Sequence, residues 1–195
     1  MATQRNSVDP VDDTVVRQFA RAAVLAALIG ASVLVTIPFP LSPAPITLQV
    51  LFIFLAGLVL GPVWGGFSIL LYLIAGAVGV PVFAGMNSGL GVLVGNTAGY
   101  LWSYPIAASL IGVVVHRGTT LRNLREVPLS LVVGALVMAI IVIYGMGTAY
   151  MAWLLDMTAW EAIAAGALPF IPGEILKMIA AIAIVRSGRI TPVRS

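Results

Sequence analysis

Residues 129–149 read LSLVVGALVMAIIVIYGMGTA, twenty-one positions inside a stretch with no charged side chain between Glu126 and Asp156. At 1.5 Å per residue such a helix is about 31 Å long, the thickness of a bilayer's hydrocarbon core. A soluble helix of this length would show a polar face, and none is visible here. The rest of the chain repeats the pattern. Of its 195 residues 61% are hydrophobic and 9% charged, with a mean hydropathy of +1.10. At about 20 apolar residues per span, that supply suffices for about six spans. Ordinary soluble domains carry near 25% charged residues. The composition therefore excludes a soluble enzyme, a nucleic-acid module and a disordered chain. An outer-membrane barrel would need short alternating strands, which are absent. The predicted class is an all-α integral membrane protein.

Working outward, a polar, acidic-leaning stretch (Asp9, Asp12, Asp13) precedes a first apolar run, about Phe19 to Ile37. That run is too long for the apolar region of a signal peptide and is read as a retained span. Pro38, Pro40, Pro43 and Pro45 then forbid helix, so a loop or re-entrant cap is expected over 38–45. A short second span, Thr47 to Leu60, ends at Gly61-Pro62, and a third runs from Val63 to Val80. The Gly-broken stretch 81–91 carries one amide, Asn87. Backbone of that kind is tolerated at membrane depth only where protein buries it or a cavity is lined by it. A fourth span covers Gly95 to Val115, the fifth starts after Pro128, and a partly helical connection over 150–168 leads to a sixth, Pro169 to Val185.

The nine arginines decide orientation: Arg5, Arg17, Arg21, Arg117, Arg122, Arg125, Arg186, Arg189 and Arg194. With six spans and both termini cytoplasmic, all nine lie on the cytoplasmic side, as the positive-inside bias requires. The expected organisation is a cytoplasmic polar tail (1–16), one six-helix transmembrane domain (17–190) and a cytoplasmic tail (191–195). No repeated block supports an inverted-repeat architecture.

Lys177 is the only lysine, and it sits inside an apolar segment three residues after Glu174. In a helix the two share a face. Pro172 fits the first turn, which places Glu174 near the positive helix end. An ionisable side chain in a span costs roughly 2.5–3.5 kcal/mol on insertion scales, so the pair should face the bundle interior. Two readings stay open, a mutually neutralised structural pair and the floor of a polar pocket. Asn87 either occupies a left-handed turn position or joins that pocket, since the topology puts its loop on the same membrane face. Thr47 and Gln49 follow the Pro-rich loop on that face too. Tyr72 and Tyr100 each offer a ring and a hydroxyl, although tyrosines are common near membrane interfaces. On the first span Ala23, Ala27 and Ala31 recur every fourth residue, with Ala22, Ala26 and Gly30 beside them. This spacing allows close helix approach, within the bundle or to another membrane protein. Gly91, Gly95 and Gly99 repeat it on the fourth span, where packing within the bundle is expected.

The absences are informative. No phosphate-binding G-x-x-x-x-G-K-[ST] loop exists, so this chain is not itself an ATPase of that type. The chain has no cysteine and one histidine, His116, placed beside arginines at a cytoplasmic helix end. That count excludes thiolate chemistry and a two-histidine metal site, and the position of the histidine excludes a Ser/His intramembrane protease, which needs it within the bundle beside a serine. Aspartate-rich diphosphate motifs are missing. Neither a catalytic residue nor a cofactor is expected.

Several motifs recur together: Pro43-Ala44-Pro45-Ile46-Thr47-Leu48-Gln49, then Leu55-Ala56-Gly57-Leu58-Val59-Leu60-Gly61-Pro62, Leu71-Tyr72-Leu73 and Gly79-Val80-Pro81-Val82-Phe83. They continue through Gly99-Tyr100 to Pro169-Phe170-Ile171-Pro172-Gly173-Glu174 with Lys177. In this combination the chain resembles the BioY type of biotin-binding substrate subunit (S component) of energy-coupling factor transporters. The resemblance is dense over about 20–115 and returns over 168–180. It implies a six-helix subunit of the cell membrane that captures biotin, as transported substrate, from outside under a cap formed by the first loop. It also implies a membrane coupling protein and two cytoplasmic ATPases as partners. By the same resemblance Ala22/Ala26 or Ala23/Ala27 supply the docking face, Glu174 and Lys177 the acid-x-x-Lys pair, and Asn87 the polar loop residue. Gln49, Tyr72 and Tyr100 complete the expected ligand-binding set. The chain departs from the pattern in Glu174, where the family has Asp, and in Asn96-Thr97-Ala98-Gly99-Tyr100, where it has a Pro-Thr-Gly-Gly-Tyr type run. The chemistry matches independently, because a cyclic urea presents two N–H donors and one carbonyl to a carboxylate and an ammonium. Two other classes fit the same composition: a stand-alone channel or facilitator with a structural ion pair, and an S component for another vitamin such as thiamine or riboflavin.

Overall fold

The computed structural model describes residues 12–37 and 45–188. The first eleven residues, most of the Pro-rich stretch and the last seven residues lie outside that description, and with them the expectations for the terminal tails and for the cap over 38–44. Six α-helices make up the described chain: α1 (Asp13–Ala31), α2 (Gln49–Ala77), α3 (Ala98–His116), α4 (Leu129–Leu154), α5 (Ala159–Gly166) and α6 (Ile171–Arg186). Five segments are long and apolar enough to cross a membrane: Asp13–Leu34, Gln49–Ala77, Ala98–His116, Leu129–Leu154 and Ala159–Arg186. α2 sits at the centre against α1, α3 and α6, while α4 packs on α3, α5 and α6. Val137, Met138 and Ile141 on α4 and Val24 and Leu28 on α1 are exposed, an apolar exterior that suits acyl chains rather than water.

α1 starts inside the stretch expected to be tail, because Asp12 caps it by accepting the Thr14 N–H at 2.9 Å. α4 continues five residues past the expected end, to Leu154.

α2 is broken at Gly61, whose φ of 75° and ψ of −169° are not helical, with Pro62 following. The chain folds back there. Gln49 Nε2 donates to Tyr72 Oη at 2.6 Å, whereas 23 residues of straight helix would separate them by about 34 Å. A Cβ at Gly65 would lie 2.9 Å from the Ala56 carbonyl, so the two arms touch backbone to backbone. The expected second and third spans are thus the arms of one helical hairpin. At about 18 and 24 Å by helical rise, each is shorter than a bilayer core. Burial among the other helices shields them.

Pro62 has no N–H, so the Leu58 carbonyl four residues earlier loses its helical partner. The sole histidine replaces it. His116 Nε2 lies 2.9 Å from Leu58 O, and His116 Nδ1 accepts the Arg122 N–H at 3.0 Å, which assigns the ring proton to Nε2. His116→Ala leaves a buried carbonyl unpaired and should cost about 1–3 kcal/mol. Thermal unfolding in detergent checks this, and an unchanged midpoint would refute the role. At the same end of the bundle, Arg186 donates to Val127 O at 2.6 Å and to Arg125 O at 3.1 Å, and Arg125 returns a bond to Ser187 O at 2.9 Å.

Two short strands, β1 (Thr36–Ile37) and β2 (Ile46–Thr47), pair antiparallel with Thr36 opposite Thr47. They hold the ends of the Pro-rich stretch together over the opposite mouth of the bundle. The 3₁₀ turns Ala84–Met86 and Leu90–Val94 lie between α2 and α3. Gly91 and Gly95 belong to this irregular segment rather than to the fourth helix, which begins at Ala98. Only Gly99 of that trio packs helix on helix, against Met146 and Tyr150 of α4.

Candidate functional site

A cavity of about 530 Å³ opens at the strand end of the bundle. Its rim includes the exposed Gly85, Asn87 and Asn96 and the half-buried Thr36, while Tyr100, Tyr104, Phe170, Glu174 and Lys177 lie buried deeper in.

The floor is built by α6. The 3₁₀ turn Leu168–Phe170 delivers the chain to Pro172 in the first helical turn, and Glu174 and Lys177 follow on one face. They are 1% and 8% exposed, and Lys177 Nζ lies 2.8 Å from Glu174 Oε1. Tyr144 of α4 donates its hydroxyl to that same oxygen at 2.8 Å. Glu174 Oε2 is buried without a hydrogen-bond partner. The bond to Glu174 is the one recorded for Lys177, which leaves two ammonium N–H groups for a guest. The pair is neutral as a unit and carries unused acceptor and donor capacity side by side.

Thr47, the last residue of β2, and Gln49, the first of α2, line the cavity. Thr47 Oγ1 donates to Gln49 Oε1 at 3.0 Å, and Tyr72 accepts from the other end of the amide. Tyr72 does not line the cavity. It stands behind Gln49 and packs edge-on against Phe83, ring centroids 5.6 Å apart, while Phe83 faces in. Tyr100 lines the cavity and donates to Gly166 O at 2.8 Å. Its ring lies where any side chain at Gly147 would have to go. Asn87 is exposed on the rim, with Nδ2 donating to Ala84 O at 2.8 Å. Its φ of −74° and ψ of 160° are extended, so the left-handed reading fails for it. Positive φ falls instead on Gly85, Met86 and Gly89.

Tyr144, Tyr104, Phe83 and Phe170 were not singled out as ligand contacts in the sequence. A signal existed for Tyr144, a hydroxyl in the middle of the apolar stretch 129–149, which must find a partner in a bundle interior. Tyr144→Phe removes one of two bonds orienting the Glu174 carboxylate. A loss of about 0.5–1.5 kcal/mol in ligand affinity is expected with the fold intact, read by calorimetric titration. An unchanged affinity would show that Lys177 alone positions the acid.

On α1 the two small-residue faces separate. Ala22 is completely buried, its carbonyl accepting from Ser68 of α2 at 2.9 Å, so it is unavailable to an outside helix. Ala23 and Ala26 are half-buried and Ala27 is exposed.

Fold and site together define a class: a helical bundle with an apolar exterior, holding a charge pair at the buried end of a small-molecule cavity. The chain belongs to the BioY family, whose family model matches residues 2–192. It is 40% identical over 156 residues to the "Probable biotin transporter BioY" of Pyrococcus horikoshii, covering 80% of this chain and 85% of that one. It is 32% identical over 165 residues to the "Biotin transporter BioY" of Thermotoga maritima, covering 85% and 91%. A solved structure described as the S-component for biotin from an ECF-type ABC transporter superposes with a TM-score of 0.79 at 27% identity. It covers 92% of this chain and 94% of that one.

Proposed function

We propose that this chain is the biotin-capturing subunit of an energy-coupling factor transporter in the cell membrane. In this reading the hairpin arms count as two spans, giving six, with both termini cytoplasmic and the cavity facing outside. The observation that carries it is the Glu174–Lys177 pair, buried at the cavity floor with Oε2 and two ammonium N–H groups unspent. A cyclic urea completes that set, its N–H donating to Glu174 Oε2 and its carbonyl accepting from Lys177. Tyr100, Phe83 and Phe170 supply apolar wall, with Gln49 and Asn87 as polar contacts and Tyr72 as the support of Gln49. The cavity volume falls within the about 300–1,000 Å³ of small-molecule sites. No covalent step is assigned to the chain. A membrane coupling protein and two cytoplasmic ATPases supply the energy, and Ala23 and Ala27, with Ala26 beside them, form the α1 face open to that coupling protein.

The test is a ligand panel on the purified protein in detergent, together with mass spectrometry of co-purifying small molecules. Biotin should bind and thiamine and riboflavin should not. Preference for either of the latter, or solute equilibration by the chain alone in liposomes, would overturn the assignment.

A further inference from the structure

We infer that the cavity does not recognise its ligand's carboxylate as a charge, so that esters and amides of the biotin side chain bind as tightly as the free acid. This rests on the biotin reading above and concerns which end of the ligand the site reads. Depth orders the lining: the groups with unspent charge-assisted bonds lie at the buried end, and the rim is neutral. Glu174 and Lys177 cancel as a unit, so a neutral urea placed on them leaves the floor neutral. A carboxylate there would add a net negative charge in a dry site, beside the already unpartnered Glu174 Oε2. The apolar tail and its acid are thereby directed to the rim.

Among the described residues, no Lys, Arg or His other than Lys177 lines the cavity. Between Arg21 and His116 the sequence holds no Lys, Arg or His, the Pro-rich residues 38–44 included, and from 126 to 185 it holds Lys177 alone. His116 lies sixteen residues along α3 from Tyr100, about 24 Å toward the other end. The described rim groups are neutral and partly committed. Thr36 donates its hydroxyl to Val33 O, and Asn87 donates one amide N–H to Ala84 O while its Oδ1 remains an acceptor. Such groups serve an amide or ester at least as well as a carboxylate, and the open rim leaves the remainder to water.

Titration of the wild-type protein with biotin, biotin methyl ester and biotin primary amide decides the matter, and Lys177→Gln provides a cross-check. Affinities for the three should agree within about threefold, and Lys177→Gln should weaken all three by the same factor. Ester and amide binding about thirtyfold or more weaker than biotin would overturn the inference while leaving the biotin reading intact. So would a Lys177→Gln variant that loses affinity for biotin alone, because the carboxylate would then sit on Lys177. Failure of all three to bind the wild type would overturn the biotin reading and this inference together. The wild-type comparison stands by itself if the variant does not fold.

Discussion

Lys177→Ala should lower biotin affinity by about two to four orders of magnitude, the equivalent of the roughly 3–5 kcal/mol lost when one member of a buried pair is removed. Two effects add. The guest's carbonyl loses its charged donor, and Glu174, 1% exposed, is left with Tyr144 as its single recorded partner. Stability falls as well, which is why a second variant matters. Glu174→Gln with Lys177→Met replaces the pair by neutral groups of similar volume, an exchange that is often neutral or stabilising. That double variant should recover the thermal midpoint in detergent and still fail to bind. Titration calorimetry and a melting curve separate the two effects. A Lys177→Ala protein that binds biotin within about tenfold of wild type would mean the pair is only structural.

Gly112→Ala should destabilise the bundle by about 3 kcal/mol, a fall in midpoint of roughly 6–12 °C for a chain of this size. A Cβ there would run into Pro62 N and Gly61 C, the backbone of the hairpin tip, which no side-chain rotation relieves. Displacing the tip also strains the neighbouring bond from His116 to the Leu58 carbonyl. Gly134→Ala on α4 is the control, since nothing lies within 4 Å of the added methyl. That change should be neutral or stabilising by up to about 1 kcal/mol, because alanine favours helix. Equal melting behaviour of the two variants would show that the α2–α3 contact is slack.

The difference between these glycines was invisible in the sequence, where both are small residues in apolar helices. The same holds for the tyrosines. Tyr72 and Tyr100 were singled out together, yet Tyr72 stands behind Gln49 while Tyr104 and Tyr144 take places on the lining. Which aromatic faces the cavity depends on how α2, α3 and α4 rotate against one another, a matter of distant packing. Ala22 turned inward for the same reason: Ser68 of α2 claims its carbonyl.

Local geometry explains what could be read without coordinates. Apolar length against bilayer thickness set the helical segments, and the missing Pro62 N–H together with Gly61 set the break in α2. The three-residue spacing of Glu174 and Lys177 set their common face, because i and i+3 are neighbours on any helix. Tertiary structure alone decided that the α2 arms fold back on each other, that Tyr144 meets Glu174 across thirty residues, and that Asn87 stays extended at the rim. Those outcomes depend on contacts between segments far apart in the chain, and short-range periodicity carries no information about them.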